Sequence, residues 1–295
     1  MDDWVTIGSG ALTAAINPLG AELSSLKDAD GRELMTDADP AFWTGRAPLL
    51  FPIVGRLAGD TLRVAGRAYA MKQHGFARRL PFEVIAAEAS RAVFALTDSD
   101  ATRAQYPFAF RLEVAFAVEA ATLAVDVTIA NTSDAPMPAS FGVHPAFAWP
   151  LPYGRAREEH RITFDADERG TLKQLADGLI VGERASPLDG RELHLDDVLF
   201  ARDALIWDPV RSQAVTYGAP DGPRLRIAFP DTPSLGIWTK PGARFVCIEP
   251  WHGVADPRGF AGEFSDKPGV FTVPPRGSRR IGVTVTLVEG AAVAV

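Results

Sequence analysis

A single cysteine, Cys247, occurs in the chain, so no intrachain disulfide can form and a cysteine-based metal cluster is excluded. Inside the apolar stretch Phe245-Val246-Cys247-Ile248 it reads as a small core residue. No run approaches the roughly 20 apolar residues of a membrane span. The start, Met1-Asp2-Asp3-Trp4, lacks the basic opening and apolar segment of a signal peptide, which makes the cytoplasm the expected compartment. Positive charge is in deficit: 30 Lys and Arg against 37 Asp and Glu leave a net charge of -7. That balance argues against nucleic acid and anionic membrane as partners. Also missing are a Walker-type loop, a G-x-S-x-G elbow, an H-E-x-x-H helix and any His/carboxylate cluster at metal spacing. The chemistry expected is therefore proton transfer with no cofactor and no metal.

What is abundant is alternation. Leu112, Val114, Phe116 and Val118 recur at every second position, as do Leu123, Val125, Val127 and Ile129 after the connection Glu119-Ala120-Ala121-Thr122. Leu225, Ile227 and Phe229, and Ile281, Val283, Val285 and Leu287, repeat it. A period of two places alternate side chains on one sheet face and predicts half-buried antiparallel strands. Turn residues separate these runs, as at Asp28-Ala29-Asp30-Gly31 and Ala219-Pro220-Asp221-Gly222. Glycine (26) and proline (23) are spread throughout, which leaves room for few helices. Ala92 to Leu96 suits a strand, and Ser99 to Gln105 a single helical turn. With no linker, composition break or repeat, residues 1–295 read as one all-β domain, a single large antiparallel β-sandwich.

The chemistry-bearing residues stand out by context. Glu249 follows the apolar strand 245–248 and precedes Pro250-Trp251, so it reads as a carboxylate delivered at a strand end into a rigid aromatic turn. Burial there raises a carboxyl pKa and suits a general base. His74 lies in Gln73-His74-Gly75-Phe76-Ala77-Arg78, and His144 is bracketed by Gly142 and Pro145. Arg56 closes the apolar run Phe51-Pro52-Ile53-Val54-Gly55, and its planar fork suits sugar hydroxyls. Arg78 and Arg46 are further cations, and Asp203 and Asp208 flank a strand. Trp251 and Trp149 are the stacking candidates among six tryptophans, since flat rings fit the C–H faces of a sugar. His160 reads as a surface residue, His194 as the exposed face of a strand, and His252 as packing behind the site.

Six ordered motifs carry a likeness: Asn17-Pro18-Leu19-Gly20-Ala21-Glu22-Leu23, Ala47-Pro48 through Gly55-Arg56, Gln73 through Arg78, Tyr106-Pro107-Phe108-Ala109-Phe110, Gly142 through Phe147, and Ile248-Glu249-Pro250-Trp251. The chain resembles the aldose 1-epimerase (galactose mutarotase-like) family, most of all its shorter bacterial branch, and the likeness runs from about Ala11 to Leu287. The resemblance implies a β-supersandwich with an open cleft, and interconversion of the α and β anomers of an aldose. It implies that Glu249 is the general base and His144 the general acid. His74 and Arg56 would hold the ring-oxygen side and hydroxyls, and Arg78 would match an active-site arginine of related hexose-6-phosphate epimerases. Asp203 is the best match for the family's substrate-binding aspartate, with Asp197 as rival. Gly55 replaces the Asn of long-chain members, and Pro145-Ala146-Phe147 departs from their motif, and both departures count against galactose itself as the physiological substrate. The partner expected is a small-molecule sugar, neutral or anionic at C6, bound by a monomer or homodimer. Two other classes stay open: a glycoside hydrolase using Glu249 with Asp203, and a non-catalytic sugar-binding module that needs no Glu249/His144 pair.

Overall fold

The structure, a computed structural model, describes residues 3–290. Among these, alternation resolves into two large antiparallel sheets that share one apolar core. The nine-stranded sheet contains the hairpin Phe110–Glu119 and Thr122–Asn131, flanked by Arg91–Thr97 and Ser278–Val288. In its register Val118 faces Leu123, Phe116 faces Val125, Val114 faces Val127 and Leu112 faces Ile129. Ile281, Val283 and Val285 extend those rows on the next strand. All eleven of these side chains are buried. Each such aliphatic or aromatic side chain contributes roughly 1.5–3 kcal/mol when withdrawn from water.

The eight-stranded sheet covers the other side of this core. Its centre is Phe245–His252, paired with Ser234–Trp238 on one edge. On the other edge it pairs with two short strands in succession, Phe141–Val143 and Ala146–Ala148. Val246 and Ile248 point into the shared core, as do Leu235 and Ile237 beside them. The opposite face of this sheet is left for something other than core packing.

The one α-helix among the described residues is Asp100–Arg103, at the helical turn expected there. Ser99 caps it: its Oγ accepts from the Thr102 amide at 3.3 Å, and Thr102 Oγ1 accepts from the Ser99 amide at 2.8 Å. The strand expected at Ala92 to Leu96 is present as Arg91–Thr97.

Two expectations fail. His160 is buried, not on the surface: its Nε2 accepts from the Leu151 amide at 3.0 Å, and its Nδ1 lies 2.9 Å from the Ala156 carbonyl. The acidic Glu158-Glu159 pair ends a short turn, and His160 links it to the strand that begins at Arg161. Trp149 is no stacking platform. It is buried, donates from Nε1 to the Arg157 carbonyl at 3.0 Å, and carries the Arg157 guanidinium 3.6 Å from its ring centroid. His194 is exposed and His252 packs on Phe271 with ring centroids 4.7 Å apart, as their sequence context indicates.

Candidate active site

Within Phe245–His252 the pleat sorts side chains by parity. Even positions enter the core, and the odd ones, Phe245, Cys247, Glu249 and Trp251, point to the other face of the sheet. Glu249 therefore stands in mid-strand rather than at a strand end, because the strand runs on through Pro250. That proline is tolerated for a specific reason. Ile248 donates its amide to the Pro145 carbonyl at 3.1 Å, so the amide position of residue 250 faces the same edge. There the ladder breaks at His144-Pro145, between the pairs Gly142↔Trp251 and Ala146↔Cys247, and no donor is needed.

The same break positions the imidazole. Gly142↔Trp251 and Ala146↔Cys247 share one register, which sets His144 opposite Glu249. His144 Nε2 stands 3.0 Å from Glu249 Oε2. Both face a cavity of about 500 Å³, within the range that accommodates small ligands. Trp251 lies along the floor between Gly142 and Gly236, where a Cβ would approach its ring to 2.5 Å and 2.6 Å. Trp43 and Trp238, which no sequence signal singled out, wall the imidazole, with ring centroids 4.9 Å and 6.0 Å from it. Trp238 pairs with Cys247 and so shares the face of Glu249, a placement readable only once the strand partners are known. Trp43 comes from a loop with no periodicity at all.

His74 stands beside this pair, its ring perpendicular to that of His144 at 5.9 Å. Its backbone is left-handed (φ 64°). The conformation is held by a reciprocal pair with Gly55: the His74 amide donates to the Gly55 carbonyl at 2.9 Å, and the Gly55 amide donates to His74 Nδ1 at 3.1 Å. An accepting Nδ1 puts the hydrogen of the neutral ring on Nε2. Arg78 also lines the cavity, donates from Nη2 to the Gln73 carbonyl at 2.9 Å, and has no ion-pair partner among the described residues. Asp203 lines the wall opposite, exposed, with Oδ1 accepting from the Ala204 amide at 2.7 Å.

Three candidates are held by other partners. Arg56 stands at the cavity rim beside the lining residues Gly55 and Gly178, its Nε donating to Asp60 at 3.0 Å and its Nη1 to the Asp177 carbonyl at 3.3 Å. Gly55, one residue earlier, takes the place in the wall. Asp197, the rival of Asp203, is tied to Arg157 at 2.6 Å and to the Gly242 amide at 3.1 Å. Arg46 gives its Nη1 to the Thr36 carbonyl.

Burial governs the electrostatics. Glu249 is 1% exposed, and burial, reinforced by Asp203, pushes its carboxyl well above the usual range. The Trp251 indole N–H lies near enough to oppose that shift without making an aligned hydrogen bond. His144 is pushed down to about 3 by burial, with Arg78 adding to the effect. Burial, then His144 and the arginines 78 and 79, hold His74 well below the ordinary imidazole value. Arg78 is lowered to about 10 by burial and Arg79 and stays cationic at neutral pH. The pair thus favours its neutral form, one proton shared between two residues. His144 Nδ1 and Trp251 Nε1 are buried without a hydrogen-bond partner among the described residues, an arrangement that a polar ligand would complete.

Comparison with known proteins places this architecture. The protein called LacX (chromosomal) of Lactococcus lactis subsp. lactis is 30% identical over 290 residues, covering 94% of this chain and 97% of that one. The X-ray structure of a galactose mutarotase related enzyme from Lactobacillus acidophilus superposes with a TM-score of 0.91 at 31% identity, over 98% of both chains. A galactose mutarotase-like protein from Lactobacillus casei gives 0.90 at 27% identity, over 97% of this chain and 100% of its own. The sequence model described as aldose 1-epimerase matches residues 3–265, and the chain belongs to that family.

Proposed function

We propose that the protein is a mutarotase that opens and recloses the cyclic hemiacetal of a hexose, with Glu249 as general base and His144 as general acid. The observation that carries this reading is their 3.0 Å approach across one sheet register, at the floor of a sugar-sized cavity. Anomer exchange needs one proton taken from the C1 hydroxyl and one given to the ring oxygen, and those two oxygens are attached to the same carbon. A bound sugar supplies further hydrogen-bond partners to Glu249 and His144 and favours the charged form of the pair, carboxylate and imidazolium. The carboxylate then takes the hydroxyl proton while the imidazolium protonates the ring oxygen, and the C1–O5 bond breaks to give the aldehyde. Rotation about C1–C2 presents the other carbonyl face, and the same two proton transfers run backwards. Each positioned transfer contributes about 10²–10⁴-fold, enough for a reaction that already proceeds slowly in water.

The neutral His74, with hydrogen on an Nε2 that lies 3.2 Å from the Gln73 side-chain amide, is a donor for a sugar oxygen, and Asp203 is an acceptor for a hydroxyl. Arg78, cationic and without a carboxylate partner among the described residues, favours a hexose that carries phosphate, sulfonate or carboxylate at C6. Two-dimensional NMR exchange across glucose, galactose, glucose 6-phosphate and a sulfonated hexose tests the reading. Acceleration of anomer exchange, greatest for an anionic sugar, is expected. Binding without exchange on every sugar would leave only a binding module, and release of reducing ends from a glycoside would point to a hydrolase.

A further inference from the structure

We infer that His144, Cys247 and Glu249 form a site for a thiophilic divalent cation such as zinc, sharing its ligands with the proton-transfer pair. Cys247 and Glu249 are two residues apart on one strand and so project from the same face. His144 reaches them from the neighbouring strand break. One ligand atom from each, Nε2 or Nδ1, Sγ and a carboxylate oxygen, falls within a span of 4.8 Å. The sequence carried no such signal, since His144 lies about a hundred positions before Cys247 and Glu249 in the chain.

The second observation is independent of composition. Glu249, Cys247 and His144 are 1%, 0% and 8% exposed, and His144 Nδ1 has no hydrogen-bond partner among the described residues, so donor atoms already removed from water converge on one point. The Nε2–Oε2 separation of 3.0 Å is close to the edge of a coordination tetrahedron. With metal–nitrogen and metal–oxygen bonds of ~2.0–2.1 Å and metal–sulfur of ~2.3 Å, tetrahedral edges measure about 3.3–3.6 Å. Closing the set from the observed span therefore needs side-chain movement of about 1 Å. One thiolate, one carboxylate and one neutral imidazole neutralise a divalent ion, which suits an apolar surround of Phe245, Ala146 and Trp238. A mixed N/S/O set selects zinc and its soft neighbours over magnesium and calcium, which demand six or more oxygens.

Binding is balanced without redox change. The cation gains three bonds, and two protons leave, one from the thiol and one from the pair that holds it between Glu249 and His144. The fourth position faces the cavity and takes water. Occupation removes both proton-transfer groups from service, so zinc inhibits competitively with sugar; this last consequence rests on the mutarotase reading, whereas binding does not.

The experiment is a cobalt(II) titration of the metal-free protein followed by optical absorption, with zinc and magnesium as competitors. Expected are a thiolate-to-cobalt charge-transfer band at one equivalent, its loss on adding zinc, and no response to magnesium. Cys247→Ala, and independently Cys247→Ser, should remove the band and weaken zinc binding at least tenfold, with folding checked by circular dichroism. Absence of the band in the wild type, or equal zinc affinity in folded Cys247 variants, overturns the site. A normal band in a protein that exchanges no sugar anomers would support the cation site while refuting the mutarotase reading.

Discussion

Gly236 lies directly opposite Glu249 in the sheet register, and the Trp251 ring fills the space that a side chain at 236 would need. A Cβ there would come within 2.6 Å of Trp251 Cη2, below any real contact. Gly236→Ala must therefore displace the indole or the strand. Overpacking of this kind costs about 1–3 kcal/mol. We expect a loss of stability of that order in urea unfolding, together with slower anomer exchange as the cavity floor shifts. An alanine variant with wild-type stability and rate would show that Trp251 moves freely.

Glu249→Gln and His144→Asn each remove one end of the shared proton. Each is expected to slow exchange by about 10²–10⁴-fold, with far-UV circular dichroism unchanged. Because the residues act as a unit, the double variant should be little slower than either single one. Strictly multiplicative losses, read by polarimetry on freshly dissolved α anomer after subtraction of the solvent rate, would argue for independent roles.

Arg78→Leu separates the sugar classes. Hydrogen bonds to charged groups contribute about 1.5–3 kcal/mol, so the specificity constant (kcat/KM) for a C6-phosphorylated hexose should fall by about 10–100-fold. The neutral hexose should change little. Equal losses on both substrates would relocate the anion-recognising group.

The loop carrying Ala255, in the cavity wall, is anchored from behind by a buried Lys267. Its Nζ donates to the Val254 carbonyl and stands 3.8 Å from Asp256, whose other oxygen accepts from the Ala58 amide at 2.8 Å. Burial lowers Lys267 from 10.5 to about 8, against the pull of Asp256. Between those values the unfolded chain holds the proton and the folded one does not, so stability rises with pH across that window. Below it the buried charge costs about 3 kcal/mol. The melting-temperature difference between wild type and Lys267→Met should shift in favour of wild type as pH rises from 8 to 10.5. A difference independent of pH would place the lysine's titration outside that range.

Much of the fold was legible because alternation is a local property. Leu112 to Val118 and Leu123 to Ile129 declare a buried face whatever their partners are, and the structure pairs them as a hairpin. The helical turn at Ser99 was legible for the same reason, since a cap acts within three residues. Pro250 misled because its missing donor is harmless only beside the ladder break at His144, a fact of the neighbouring strand. His160 misled because charge in two adjacent residues says nothing about the direction of the third. Arg56, placed near the site by its motif, stands at the cavity rim, where Asp60, four residues on, orients its guanidinium.

The sequence by itself determined the all-β character, the strand faces and the identity of Glu249, His144, His74 and Arg78 as the groups worth following, since short-range patterning and residue chemistry suffice for those. Only the tertiary structure decided that Glu249 and His144 touch, that Trp43 and Trp238 enclose them, that Asp203 rather than Asp197 shares their cavity, and that Cys247 stands within their reach. Those relations depend on register between strands far apart in the chain, which is set by the summed packing of two sheets and by no local segment.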